Sequence, residues 1–261
     1  MKIDKEALTS HIRDKDKILD MRKIIDKIEI VINKHIVTST DFLDPYERYL
    51  AKSILNRFVE IDYLETGGYP SAERKVIIIY PHYFDENNLS DTLSYIRITG
   101  DLEGLNHKDY LGAILGLGIK RSKIGDILVH ESYTDIIIKE EISDFVLLNL
   151  EKIGNRKVLI KEISKEDIQE PIISYKEIKK TLSSYRLDVF ISAAYNISRQ
   201  ESLHLIESGY VKVNWEPIIK SSKELNVGDM ISVRGYGRSI LYSVEGKSRK
   251  GKIVANIRLI L

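Results

Sequence analysis

Apolar residues recur at spacings of three and four early in the chain: Ile18, Met21, Ile24, Ile25, Ile28 and Ile32 fall on one face of a helix. Tyr49, Ile54 and Phe58 continue the pattern more loosely, and Asp44 before Pro45 has the form of an N-cap followed by proline at the first helical position. Residues 1–70 are therefore expected to form a helical N-terminal domain, closed by TGGYPSAERK, where Gly67, Gly68 and Pro70 signal a loop. The pattern then changes. VIIIY (76–80), LSYIRIT, DILV, TDIIIK and KVLIKEI read as strands, whereas HKDYLGAILGLG and EISDFVLLNLEKIG, the latter ended by Gly154, read as helices. This order predicts an α+β central domain over 71–163, ferredoxin-like or RNA-recognition-like, with helices on one face of a mostly antiparallel sheet. Residues 164–184, with Pro171 and many charges, read as a linker, and 185–261 as a small C-terminal domain.

Within that last segment SRQESLHLIESGYVKVN compresses a helix and a strand. Ser198 and Glu201 have the spacing of a capping box, Leu203 and Ile206 supply an apolar face, Gly209 is placed to stop the helix, and Val211 and Val213 alternate with Lys212 and Asn214. Leu187, Phe190, Ile191 and Ala194 predict a second short helix just upstream. Arg199 stands in the first turn, where a cation opposes the helix dipole by several tenths of a kcal/mol, roughly. Two readings answer that cost: a phosphate site at the helix start, or pairing with an acid such as Asp188.

Composition narrows the function. With 43% hydrophobic and 30% charged residues the chain is expected to fold, and its length suggests two or three domains. No apolar run approaches the ~20 residues of a membrane span, and MKIDKEALTSHIRDKDK lacks the apolar core of a signal peptide. A cytoplasmic monomer without membrane contact is the expectation. The absence of cysteine removes thiolate nucleophiles and cysteine-based metal sites, and no cofactor or metal is expected. Counting Lys and Arg against Asp and Glu, residues 1–70 carry 12 and 13, residues 71–180 carry 16 and 19, and residues 181–261 carry 12 and 7. The resulting charges of −1, −3 and +5 place the positive excess in the C-terminal domain, the footprint of a polyanion binder.

Enzyme signatures are weak. Gly112, Gly116 and Gly118 do not have Walker spacing, and the pair four apart on a helix is better read as close helix-on-sheet packing. KRSK (120–123) lacks the partner motif that would make it a tRNA synthetase loop. The triplet RLD resembles that of pseudouridine synthases, with Asp188 as nucleophile, but only 73 residues follow it and an apolar helix face replaces the expected continuation. His82 with Asp85 and Glu86, and His107 with Asp109, read as loop and helix-start residues rather than metal or acid–base pairs.

RLDVFISAAYNISRQESLHLIESGYVKVNWEPIIKSS followed by GDMISVRGYGR resembles the RNA-binding domain named after ribosomal protein S-four, through its RLD opening, SR helix start, GxVxVN turn and GD loop. GGYPSAER, the ITG of IRITGD and LNHKDYLGAILGLGIKRSKIGDILV extend the likeness over essentially the whole chain, which resembles the YlmH family of bacteria. It departs from that family at His107-Lys108-Asp109, where HRD is common, and at Gln200 after the SR pair. The resemblance implies a non-catalytic protein of ribosome-associated quality control that grips rRNA and peptidyl-tRNA on the large ribosomal subunit, with an older association with cell division. Arg186, Ser198, Arg199, Gln200, His204, Lys212, Asn214, Lys220, Arg234 and Arg238 are the expected RNA contacts, with Arg186 and Arg199 as the main grip on phosphate.

Overall fold

The computed structural model describes residues 3–260, which fall into two compact units meeting in sequence at Pro171 and Ile172. In the first unit, α1 (Lys5–Thr9) precedes α2 (Lys15–Lys34), whose Asp14 cap accepts the Asp16 and Lys17 amides and whose end is His35 in the left-handed region. Met21, Ile24, Ile25, Ile28 and Val31 form its buried face. After the short β1 (Thr38–Ser39), α3 (Pro45–Leu55) opens with a full capping box between Asp44 and Glu47. The helices do not stand alone. β2 (Ile61–Thr66) and β3 (Val76–Pro81) join β1 in an antiparallel sheet ordered β1-β3-β2.

β3 is buried along its whole length because both its faces are covered. Ile77 and Ile79 pack with α2 and α3, while Val76, Ile78 and Tyr80 pack with Leu93, Tyr95, Leu128 and Ile137 of the layer that follows. That layer runs β4 (Leu93–Gly100), α4 (His107–Gly116), β5 (Ile124–Val129), β6 (Thr134–Lys139), α5 (Ser143–Asn149), β7 (Lys152–Ile153) and β8 (Arg156–Ile163). Its strand order, β5-β6-β4-β8 with β7 beyond, is antiparallel and is that of a ferredoxin-like βαββαβ unit. Tyr110 and Ile114 of α4 and Val146 of α5 close one face over Ile96, Ile98, Ile136 and Ile138. The opposite face, which an RNA-recognition sheet would present to bases, is the one that β3 covers.

Two local expectations change. The helix read over 141–154 stops at Asn149, because Lys152–Ile153 turns back on Arg156 and Lys157 as a hairpin, and Gly154 (φ 61°) serves that turn rather than a helix end. Gly112 and Gly116 are not sites of close packing, since a Cβ on either would meet nothing within 4 Å.

The second unit is a six-stranded antiparallel sheet with two helices. Its elements are β9 (Tyr175–Leu182), α6 (Leu187–Tyr195), α7 (Arg199–Glu207), β10 (Val211–Val213), β11 (Glu216–Pro217), β12 (Met230–Val233), β13 (Gly237–Lys247) and β14 (Ile253–Ile260). The sheet order is β11-β10-β12-β13-β14-β9. β9 lies in the stretch expected to be a linker, yet it pairs with β14 from Leu182↔Ile253 to Tyr175↔Ile260. As an edge strand it keeps most side chains in solvent and reads YKEIKKTL, so its composition hides it. Phe190, Ile191, Leu205, Ile206, Val211, Ile231, Leu241 and Ile257 form the core between helices and sheet. On α7 the buried face is Ser202, Leu205 and Ile206 rather than Leu203.

Candidate nucleic-acid interface

The helix starts of α6 and α7 meet on one carboxylate. Asp188, 1% exposed, accepts from Arg186 at Oδ1 (Nε, 2.9 Å) and Oδ2 (Nη2, 3.2 Å), and from Arg199 Nε at Oδ2 (3.0 Å). The main chain locks the same junction, because the Ser202 hydroxyl donates to the Asp188 carbonyl at 2.8 Å. Burial works to raise the Asp188 carboxyl, but the hydrogen bonds and charges of Arg186 and Arg199 outweigh it and hold the group below the usual carboxylate range. Pairing with Asp188 is thus the structural reason a cation sits in the first turn of α7. The guanidiniums still face solvent: the side chains of Arg186 and Arg199 are 36% and 59% exposed. Arg199 gives Asp188 only its Nε, so its Nη groups point their donors elsewhere.

Of the other expected residues, some lie on α7 or beside the start of α6, whereas Lys212 and Arg238 alternate with the core-facing Val211, Val213, Ile231 and Val233 and so stand on the sheet face away from the helices. Ser198 caps α7 by accepting the Glu201 amide at 3.1 Å, but the Glu201 carboxylate is taken by the Tyr236 hydroxyl at 2.6 Å instead of returning to Ser198, so only half of a capping box forms. Gln200 is exposed in the same turn, and His204 is exposed further along α7. Lys220 is exposed on a strip that crosses the start of α6, held by Leu187 N–H to the Lys223 carbonyl at 2.8 Å and Leu225 N–H to the Tyr185 carbonyl at 2.9 Å. Lys212, Ser232 and Arg238 stand directly opposite one another on β10, β12 and β13, so the two cations share a face. Arg234 lies over the Tyr210 ring at 5.1 Å and Arg238 over Trp215 at 5.9 Å. The Tyr236–Glu201 bond ties the turn that carries Arg234 to the first turn of α7.

Asn214 also has a structural role. With Trp215 it forms the two-residue turn between β10 and β11, both at positive φ (48° and 67°), and its amide bridges the Asp229 carboxylate (2.8 Å) and the Met230 N–H (2.9 Å). Its side chain is spent on the fold.

The sequence reading missed the hairpin between β13 and β14. KSRKGK places Lys247, Arg249, Lys250 and Lys252 around a turn closed by Ser248 N–H to the Lys252 carbonyl at 2.7 Å. Lys252 lines a groove with Arg199, Thr181, Ser183 and Ser192, so this turn adds cations to the α7 side of the junction. Four cations in six residues about a glycine was the available signal. Among the described residues no cluster of histidine and acid has the makings of a metal site, and no helix is long and apolar enough to cross a membrane.

Comparison with known proteins agrees with these parts. Three family models match: the N-terminal region of YlmH over residues 16–84, the domain described as "Putative RNA-binding domain in YlmH" over 85–167, and the S4 domain over 186–231. The chain is 34% identical over 239 residues to the ribosome-associated protein quality control protein P2 of Bacillus subtilis, covering 89% of this chain and 93% of that protein. A solved structure, the cell division protein YlmH from Streptococcus pneumoniae, superposes with a TM-score of 0.52 at 25% identity, covering 60% of this chain and 97% of that one. The S4 model begins at Arg186 and spans the junction built on Asp188, and the likeness to the Bacillus protein runs along nearly the whole chain: it belongs to the YlmH family.

Proposed function

We propose that this chain acts without covalent chemistry in ribosome-associated quality control, holding rRNA and peptidyl-tRNA of the large subunit through phosphate contacts made by its S4 domain. The observation that carries the reading is the junction of Arg186 and Arg199 on Asp188: two solvent-facing guanidiniums fixed by one buried carboxylate at the starts of two helices. Structured RNA offers phosphates and 2′-hydroxyls more than readable base edges, and a rigid pair of forked cations suits that chemistry. Lys252, which lines a groove with Arg199, and Lys220, on the strip tied to the start of α6, extend the positive surface. Asp188 itself argues against the synthase alternative, because both its oxygens are occupied and it is shut off from solvent.

Sedimentation of the tagged protein with ribosomal subunits, followed by RNA crosslinking, tests this. The parent should travel with the large subunit and crosslink to rRNA or tRNA, and the Arg186→Gln/Arg199→Gln double variant should remain at the top of the gradient. Co-sedimentation of that variant at the parental level would refute the assignment. A strain carrying Asp188→Asn reports on the synthase alternative, since it should leave rRNA pseudouridine unchanged.

A further inference from the structure

The two motifs GGYPSAER and GIKRSKIGDI, far apart in sequence, are brought together in the first unit. Asp126 on β5 is the anchor: its carboxylate accepts from the Tyr69 hydroxyl (2.9 Å), the Glu73 N–H (2.6 Å) and the Arg74 N–H (3.1 Å), which folds the glycine loop onto the strand. The Arg74 guanidinium then donates to the carbonyls of Ile124 (Nε, 3.1 Å) and Phe42 (Nη2, 2.9 Å). Arg121, from the turn before β5, donates through Nη1 to the same Ile124 carbonyl (2.5 Å) and to that of Gly125 (3.2 Å). Gly125 is required there, because a Cβ would lie 2.7 Å from the Phe42 ring.

Two guanidiniums therefore share one carbonyl oxygen, and among the described residues neither forms an ion pair. A carbonyl satisfies N–H donors but supplies no counter-charge. Burial and the neighbouring charge of Arg74 push Arg121 down to about 10, the response of a half-buried cation to a like charge. Both residues line a cavity of about 600 Å³ that has an apolar wall from Ile24, Phe42 and Leu43. The carboxylates on its rim are already engaged: Asp20 with Lys23 (2.7 Å), Asp26 with Lys5, Asp41 with Lys123 (2.6 Å), and Glu47 with Lys17 (2.5 Å). Glu47 and, beyond the rim, Asp126 and Glu73 act on Arg121 through space without bonding to it.

We propose that Arg74 and Arg121 bind a phosphate group at this cavity. Arg74 spends Nε and Nη2 and Arg121 spends Nη1 on carbonyls, which leaves Nη1 of the first and Nε and Nη2 of the second as donors beside one cavity, and a tetrahedral oxyanion supplies the charge that the carbonyls lack. The inference rests on the first unit alone and does not depend on the S4 reading.

Thermal unfolding of the full-length protein, with sodium phosphate replacing chloride at constant ionic strength, is the test. At ten times the dissociation constant, linkage gives a rise in Tm of about 2–5 °C. The rise should persist in Arg186→Gln/Arg199→Gln and vanish in Arg121→Gln. Should Arg121→Gln fail to fold, Arg121→Lys, which keeps the charge but not the fork, should show less than half of the parental rise. No rise in the parent, its loss in the C-terminal double variant, or a full rise in either Arg121 variant would overturn the proposal. An RNA hairpin and a mononucleotide separate the two sources of phosphate. Hairpin affinity reduced about ten-fold by Arg121→Gln assigns an RNA backbone. Unchanged hairpin affinity with a nucleotide-dependent rise in Tm assigns a free phosphate compound.

Discussion

Arg186 and Arg199 meet on a carboxylate, whereas Arg74 and Arg121 meet on a carbonyl oxygen. The hydrogen-bond geometry is similar, and the electrostatics differ. At Asp188 a buried negative charge offsets one of the two positive charges and fixes both side chains, so the pair is stable by itself and presents oriented donors to solvent. At Ile124 the shared acceptor carries no charge, Asp126, Glu73 and Glu47 act on Arg121 only through space, and the pair is held together by the fold around it. The identity of the shared acceptor, and not the arginines, decides whether a counter-charge is built into a cation pair.

This difference can be broken most forcefully at Asp188. Asp188→Ala removes three charged hydrogen bonds at a site shut off from water and should destabilise the second unit by ~2–4 kcal/mol, after discounting for the solvated guanidiniums. Chemical denaturation followed by a probe in that unit reads it. A loss under ~0.5 kcal/mol would mean that the carboxylate does not organise the junction. Acid sharpens the point. The folded Asp188 carboxyl lies below the ~3.9 of an unfolded aspartate, so its contribution is complete above that value and disappears as pH falls through the folded one. In Asp188→Asn the stability curve should flatten below about pH 4 relative to the parent.

Arg199→Ala should cost less, ~0.5–1 kcal/mol, because its side chain is 59% exposed and Arg186 still holds Asp188. That small loss contrasts with the slight gain expected if Arg199 merely opposed the helix dipole. Smaller still, Lys252→Ala should leave stability unaltered and lower RNA affinity about two- to three-fold, without altering preference among RNA sequences, since a lysine near phosphates adds charge and not base readout. A change confined to one RNA sequence would point to base contact instead.

Much of this organisation could be read from the chain, and the exceptions have a common cause. The α2 face, the Asp44-Pro45 helix start, the βαββαβ order and the α6 and α7 helices are written in apolar spacing and caps. β9 was invisible because an edge strand in solvent carries lysines where a buried strand would carry valines. The β7–β8 hairpin was lost because EISDFVLLNLEKIG keeps helical spacing past the point where tertiary pairing turns the chain back. In the site, Arg186 and Arg199 were legible as cations at helix entrances and Asp188 as an acid that could pair with Arg199, but that one carboxylate holds both was not, because this is set by the packing of α7 on α6. The turn that Asn214 closes was not legible for a simpler reason: a polar residue after a strand looks the same whether or not its side chain serves the turn.

The proposed contact of RNA phosphates with Arg186 and Arg199, held by Asp188, should show in the salt dependence of affinity for a structured rRNA fragment, measured for the parent and for Arg186→Gln/Arg199→Gln over a range of potassium chloride. Each phosphate contact contributes ~0.7–0.9 to the slope of log K against log salt, so the double variant should bind more weakly and its slope should be shallower by about 1.4–1.8. A parental slope in the double variant would show that these arginines touch no phosphate and would contradict the account.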